Sequence, residues 1–134
     1  MQSKTHLHVI VYLLLVRDDS FLLSLRQNTG YDDDKWALVS GHQEVGESAI
    51  RAMIREAKEE IDIEIESKDL QIIHTTCRRT TRETIDIFLR CTKWQGNIKN
   101  QEPKKCGGLK FYSLDTLPSN VADYVKEEDI LSHL

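Results

Sequence analysis

Cysteine is scarce: Cys77, Cys91 and Cys106 are an odd number, set far apart, without the paired ligand spacing of a zinc site. That pattern points to a reducing, cytoplasmic setting. Basic excess is missing as well, since 18 Lys and Arg face 22 Asp and Glu for a net charge of -4. A polyanion-binding surface is therefore disfavoured, and with it sustained nucleic-acid binding, although a small nucleotide is not. No apolar run is long enough to cross a membrane. The candidate, "LHVIVYLLLV" at residues 7 to 16, falls well short of the roughly 20 residues a span requires. It follows a short basic start, as a secretory signal does, but no small-residue cleavage site follows and it runs straight into "RDDSFLLSLR". Internal repeats and low-complexity tracts are also absent, so the expectation is one domain over residues 1–134.

What is present is a series of short elements. Residues 6 to 16 and "FLLSLR" read as two strands around the turn signal "RDDS" at residues 17 to 20. "QNTGYDDDK" is turn-rich, and "WALVSG" is a short strand ending in a glycine loop. The strict alternation of "IDIEIE", Ile61 to Glu66, predicts a half-buried strand. "LQIIHTTCRR" and "TIDIFLRCTKW" predict an antiparallel pair, and "NIKNQEPKKCGG" a loop. "LKFYSL" predicts a last strand, and Val121 to Leu134 a final helix behind Pro118. The fold class is α/β, with a central mixed sheet and two helices.

The other helix runs from Ser48, a fitting N-cap, to Ile61 without Gly or Pro. At about 100° per residue, Ile50, Met53, Ile54, Ala57 and Ile61 share one apolar sector. Glu56, Glu59 and Glu60 fill the neighbouring sector, and Arg51, Arg55 and Lys58 the third. A run of Glu on a helix is ordinarily a solvated face, and the repulsion here totals under about 1 kcal/mol. The acidic sector nevertheless borders the apolar one, which puts Glu60 near the core edge, where a carboxylate needs a partner. A cation would serve. An all-carboxylate cluster without His or Cys is a hard oxygen site, suited to Mg²⁺ or Mn²⁺ and to metal-assisted attack of water on a phosphate anhydride.

Gly41, five residues, Glu47, seven residues and then "REAKEE" from Arg55 to Glu60, with apolar Ile63 beyond, resembles the Nudix box Gx5Ex7REUxEExGU. Six positions of fixed identity agree: Gly41, Glu47, Arg55, Glu56, Glu59 and Glu60. The resemblance extends through the strand order to the Nudix αβα sandwich, with the motif helix and a C-terminal helix about the mixed sheet. It departs at Asp62, where the family has glycine, and at "VSG", Val39 to Gly41, where "PGG" is common. Asp tolerates a left-handed conformation better than most residues, so Asp62 is expected to end the helix. The resemblance implies that Glu56, Glu59, Glu60 and the Gly41 carbonyl hold Mg²⁺, with Mn²⁺ as the alternative. It also implies that Arg55 and Glu47 orient the cluster. Helical spacing alone would pair Arg55 with Glu59, so a Glu47 pairing requires the preceding loop to fold back.

Outside the box, the resemblance calls for a carboxylate from a distant loop to complete the site or act as base. Glu102, in the loop stiffened by Pro103, is the candidate, with Glu59 as the other base. Lys104 and Lys105 can meet phosphate oxygens. Asn120, in "LPSN", either presents its amide to a base edge or caps the final helix. Tyr31 and Trp36 can stack on a base, though Trp36 within "KWALVSG" fits the core. Arg51 reads as surface charge, His42 as a structural histidine, and Asp32 to Asp34 as turn residues that cannot all face one ion. The expected activity is Mg²⁺-dependent pyrophosphohydrolysis of a nucleoside diphosphate linked to another group, a triphosphate first. A nucleoside diphosphate sugar, or binding without catalysis, is the alternative, and a homodimer is among the assemblies the resemblance allows.

Overall fold

The apolar run near the start of the sequence becomes strand β1 (His8–Arg17), and its even hydropathy has a simple cause. Both of its faces are covered. Val11, Leu13 and Leu15 point into one core, and Ile10, Tyr12, Leu14 and Val16 into a second on the opposite side. A strand buried on both faces loses the polar alternation of a half-exposed one. The computed structural model describes residues 7–79 and 83–134, and the prediction for residue 6 and for the link after Arg79 lies partly outside them.

Along one edge β1 pairs in parallel with β6 (Glu83–Cys91), from His8 opposite Thr84 to Leu15 opposite Cys91. β6 pairs in turn with antiparallel β5 (Gln71–Arg79). The other edge of β1 is divided. Near its start it pairs with β4 (Val39–His42), and at its end Arg17 faces Ser20 of β2 (Ser20–Arg26) across the Asp18–Asp19 turn. From there β2 carries β3 (Trp36–Ala37) on one edge and β7 (Cys106–Tyr112) on the other. The predicted single strand "WALVSG" is thus split at Leu38, where the chain passes from β2 to β1. The Leu38 N–H, left out of both ladders, donates to the Tyr124 hydroxyl at 3.0 Å.

Helix α1 (Ala49–Ile61) covers one face of the sheet and the C-terminal segment the other. Ser48 caps α1 by accepting from the Arg51 N–H, and Asp62 ends it at φ 59°, ψ 36°, with its N–H on the Lys58 carbonyl. The left-handed exit is therefore made by an aspartate.

Three further expectations fail. "IDIEIE" is no strand: Ile61 closes the helix, Ile63 and Ile65 are buried, and among the described residues the segment pairs through a single bridge from Glu64 to Gln95. Its alternation reflects an extended segment with one covered side, which needs no ladder. The final helix is Asp123–Glu127 (α2), followed by a separate 3-10 turn at Leu131–His133. Val121, Ala122 and Ile130 fill the core from either end of it, so tertiary burial and not helical periodicity set that spacing. β7 begins at Cys106, earlier than Leu109: Cys106 pairs with Arg26, and Gly107 and Gly108 lie at the register shift between that pair and Leu109 opposite Ser24.

Candidate functional site

The loop before α1 does fold back. Arg55 donates through Nη2 to Glu47 Oε1 at 2.6 Å and through Nε to Glu47 Oε2 at 3.2 Å, a two-pronged pair reaching across the cap. The same guanidinium reaches Glu56 Oε1 at 2.8 Å, Glu59 Oε2 at 3.3 Å and the His42 carbonyl at 2.9 Å. Glu47 in turn accepts from the Glu44 N–H at 2.8 Å. The hydrogen bonds from Arg55, then that from Glu44, hold the Glu47 carboxyl below its ordinary value. Arg55 therefore ties loop, strand β4 and helix together.

The core-facing sector of α1 is rotated toward the acids relative to the expected one. Ala52, Met53, Glu56, Ala57 and Ile61 are its buried residues, while Ile50 and Ile54 are half-buried. Glu56 is inside because it crosses over Gly41: a Cβ at that position would meet Glu56 Cδ and Cγ far inside 3.0 Å. Glycine is required there for close approach, not for an unusual backbone angle.

Beyond Glu56 opens a pocket of about 690 Å³. Glu56, Glu60 and Glu102 line it with Gly41, and the cations Arg26 and Lys105 line it too. Burial, then the neighbouring Glu56, and more weakly Glu102, push the Glu60 carboxyl up to about 8. Burial also raises Glu56, against the pull of Arg55. Carboxylates crowded in this way lack positive charge. Among the described residues no three His, Cys, Asp or Glu side chains already surround one point. The hard oxygen donors of Glu56, Glu60 and Glu102 nevertheless fit Mg²⁺ or Mn²⁺, which keeps waters and needs few protein ligands. Those three residues could hold it.

The remaining candidates divide. Glu59 is exposed, turned to Arg55 and outside the pocket, because it stands one residue off the lining positions of α1. Glu102 is brought to the pocket by its loop. Lys105, not Lys104, lines the pocket. Tyr31 lines its rim at 41% exposure, whereas half-buried Trp36 packs edge-on against Tyr112 at 5.2 Å in the core. Asn120 neither lines the pocket nor caps α2, whose N-cap is Ala122. Its amide nitrogen donates to the Asp34 carbonyl at 2.8 Å and its own carbonyl accepts from Trp36 at 2.9 Å. Asp33 turns inward and accepts from the Thr29 and Gly30 N–H groups, so the aspartate run shapes its own loop. His42 lines the pocket mouth with its ring 5.7 Å from that of His8.

Sequence reasoning missed Arg26 and Tyr12. Arg26, on β2, is held by its Nε bond to the Tyr31 carbonyl at 2.8 Å and lowers the Glu60 carboxyl through its charge. Its only sequence signal was a basic residue closing an otherwise apolar strand. The side chains of Gln27 and Asn28 then grip the carbonyls of Pro103 and Lys104, each at 3.0 Å, joining the Tyr31 loop to the Glu102 loop.

Among curated proteins, the chain is 33% identical over 100 residues to the dihydroneopterin triphosphate diphosphatase of Escherichia coli K12, covering 75% of this chain and 64% of that protein. The match thus spans just under two thirds of that relative. Among solved structures, a MutT NUDIX hydrolase from Burkholderia pseudomallei superposes with a TM-score of 0.81 at 22% identity, over 89% of this chain and 92% of that one. A bifunctional NMN adenylyltransferase/ADP ribose pyrophosphatase from Francisella tularensis, solved with AMP and a manganese ion, gives 0.65 at 23% identity, over 89% and 36%. These two share the fold. The NUDIX domain model itself matches residues 4–133, nearly the whole sequence, with Arg55 and every residue it binds inside the match, and the chain belongs to that family.

Proposed function

We propose that the protein is a pyrophosphohydrolase that depends on a divalent cation, Mg²⁺ first and Mn²⁺ second. Its substrate is a nucleoside diphosphate linked to another group, a nucleoside triphosphate before a nucleoside diphosphate sugar. One observation carries this: Glu56, Glu60 and Glu102 meet Arg26 and Lys105 in a single open pocket. Acids suited to a cation lie beside bases suited to phosphate oxygens. A bound divalent cation would polarise the anhydride and lower the pKa of water.

The chain's own residues supply the rest. Arg55 fixes the Glu56 carboxylate over Gly41, so that donor is placed before substrate arrives. With Glu56 and Glu60 holding the cation, Glu102 is left to take the proton from the attacking water in preference to Glu59, whose carboxylate faces Arg55. Arg26 and Lys105 bind phosphate oxygens as charges, and Tyr31 lies against the base. Residues 1–134 act as one catalytic domain.

The test is product analysis for a panel of nucleoside triphosphates and diphosphate sugars with Mg²⁺, for wild type, Glu60→Gln, Glu102→Gln and Glu59→Gln. The expected result is hydrolysis by wild type and a loss of about 100-fold or more for Glu60→Gln. Glu102→Gln should cost more than Glu59→Gln. Wild type and Glu60→Gln that are equally inert, yet still bind nucleotide, would make the protein a binding module.

A further inference from the structure

Away from the carboxylates the pocket ends on the sheet face opposite α1. In register, Asp86 of β6 stands beside Ile10 of β1 and Thr76 of β5. Tyr12 and Arg78 lie two residues further along their strands, so all three polar side chains share that face. Asp86 is fully buried. Its Oδ2 meets Arg78 Nη1 at 3.3 Å, while Oδ1 accepts no hydrogen bond from the described residues.

Tyr12 lines the pocket and Asp86 does not. The Tyr12 ring is stacked on Phe88 at 4.6 Å and tilted against Tyr124 at 5.0 Å, so its hydroxyl has little freedom to move. Burial and then the Asp86 charge keep that hydroxyl protonated well above the ordinary phenol range. Asp86 Oδ1 is the acceptor left open on that face for the Tyr12 proton, and a phenol that turns its proton to a carboxylate leaves its lone pairs for another donor. The adjacent Tyr124 hydroxyl already accepts the Leu38 N–H. A buried ion pair is seldom the most stable way to fill a core, which leaves its presence here to be explained.

We propose that Asp86 is a positioning residue for specificity: it holds the Tyr12 hydroxyl as an acceptor on the pocket floor and so selects a nucleobase with an exocyclic amine over its carbonyl counterpart. This rests on the reading of the pocket as a nucleotide site. A purely structural Asp86–Arg78 pair would leave the choice between such rings unchanged.

The experiment is equilibrium binding of three amine/carbonyl pairs, AMP with IMP, CMP with UMP and GMP with XMP, without metal and therefore independent of hydrolysis. Wild type should favour the amine in at least one pair by about tenfold. Asp86→Asn and Tyr12→Phe should bring that ratio within about twofold, with far-UV circular dichroism confirming the fold. If Asp86→Asn fails to fold, Tyr12→Phe decides. A wild type that binds none of the six or separates no pair overturns the proposal, as does a preference that survives in the folded variants. Failure to hydrolyse triphosphates would instead count against the catalytic reading and leave these ratios standing.

Discussion

Replacing Gly41 with alanine should harm activity far more than stability. The added Cβ falls on the Glu56 side chain, so that carboxylate must swing away and give up its 2.8 Å bond to Arg55. A charge-assisted bond is worth about 1.5–3 kcal/mol, and with Arg55 partly exposed the lower end, about 1–2 kcal/mol, applies. For a chain of this size that lowers Tm by roughly 4–8 °C. Activity depends on where the carboxylate sits, and a displacement of an ångström or more costs about 100-fold. Gly46→Ala is the matched control. Its φ of 85° makes alanine strained by about 1–2 kcal/mol, but no atom lies within 4 Å of the added carbon. Both variants should melt lower by similar amounts, while Gly46→Ala hydrolyses nucleotide at near the wild-type rate. Thermal unfolding and hydrolysis rates on the same preparations decide the matter. Gly41→Ala within about threefold of wild type, or Gly46→Ala losing as much, refutes the argument from close approach.

Asp62→Gly removes a non-glycine residue from a left-handed position and gives up an exposed ion pair to Lys58 at 3.1 Å. Unfolding should show a gain of about 1 kcal/mol or less, and hydrolysis should stay within about twofold of wild type. A marked rise in rate would mean that the aspartate misplaces the helix end. The Glu47 carboxyl is held below its ordinary 4.5 by Arg55, so its contribution is present above that value and disappears as pH falls through the lower folded one. Urea unfolding should therefore show wild type more stable than Glu47→Gln at pH 6, with the gap closing in acid below 4.5. A gap unchanged at pH 3 excludes the linkage. Among the cysteines, Cys77 is exposed, Cys106 is buried, and burial pushes the Cys91 thiol up to about 11. A thiol reagent at neutral pH should modify one cysteine quickly and the other two only on unfolding, with peptide mapping to identify Cys77.

Local signals were the readable ones. Ser48 and Asp62 bound α1 as their chemistry suggests, and the two-sided burial of β1 shows in its unbroken apolar run. The return of Glu47 to Arg55 needed the motif's spacing, since helix geometry offers Arg55 only Glu59. Long-range placement stayed hidden. Arg26 reaches the acids because β2 runs beside β7, and nothing near residue 26 records that pairing. "IDIEIE" and the Val121–Leu134 segment mislead for one reason: apolar spacing tells which side is covered, not whether a ladder or a helix does the covering. Asp86 is an unremarked polar position within "TIDIFLRCTKW". Its burial follows only from the partner strands on both sides.

The latch between the two pocket loops has an evolutionary consequence. Gln27 and Asn28 hold the carbonyls of Pro103 and Lys104, and a main-chain carbonyl is present whatever side chain the residue bears. Positions 103 and 104 can thus accept new side chains beside the pocket while the fastening stays intact. Change at positions 27 and 28 has no such freedom, since there the side chains themselves are the fastening. Variation in substrate choice has an easier path through one loop than through the other.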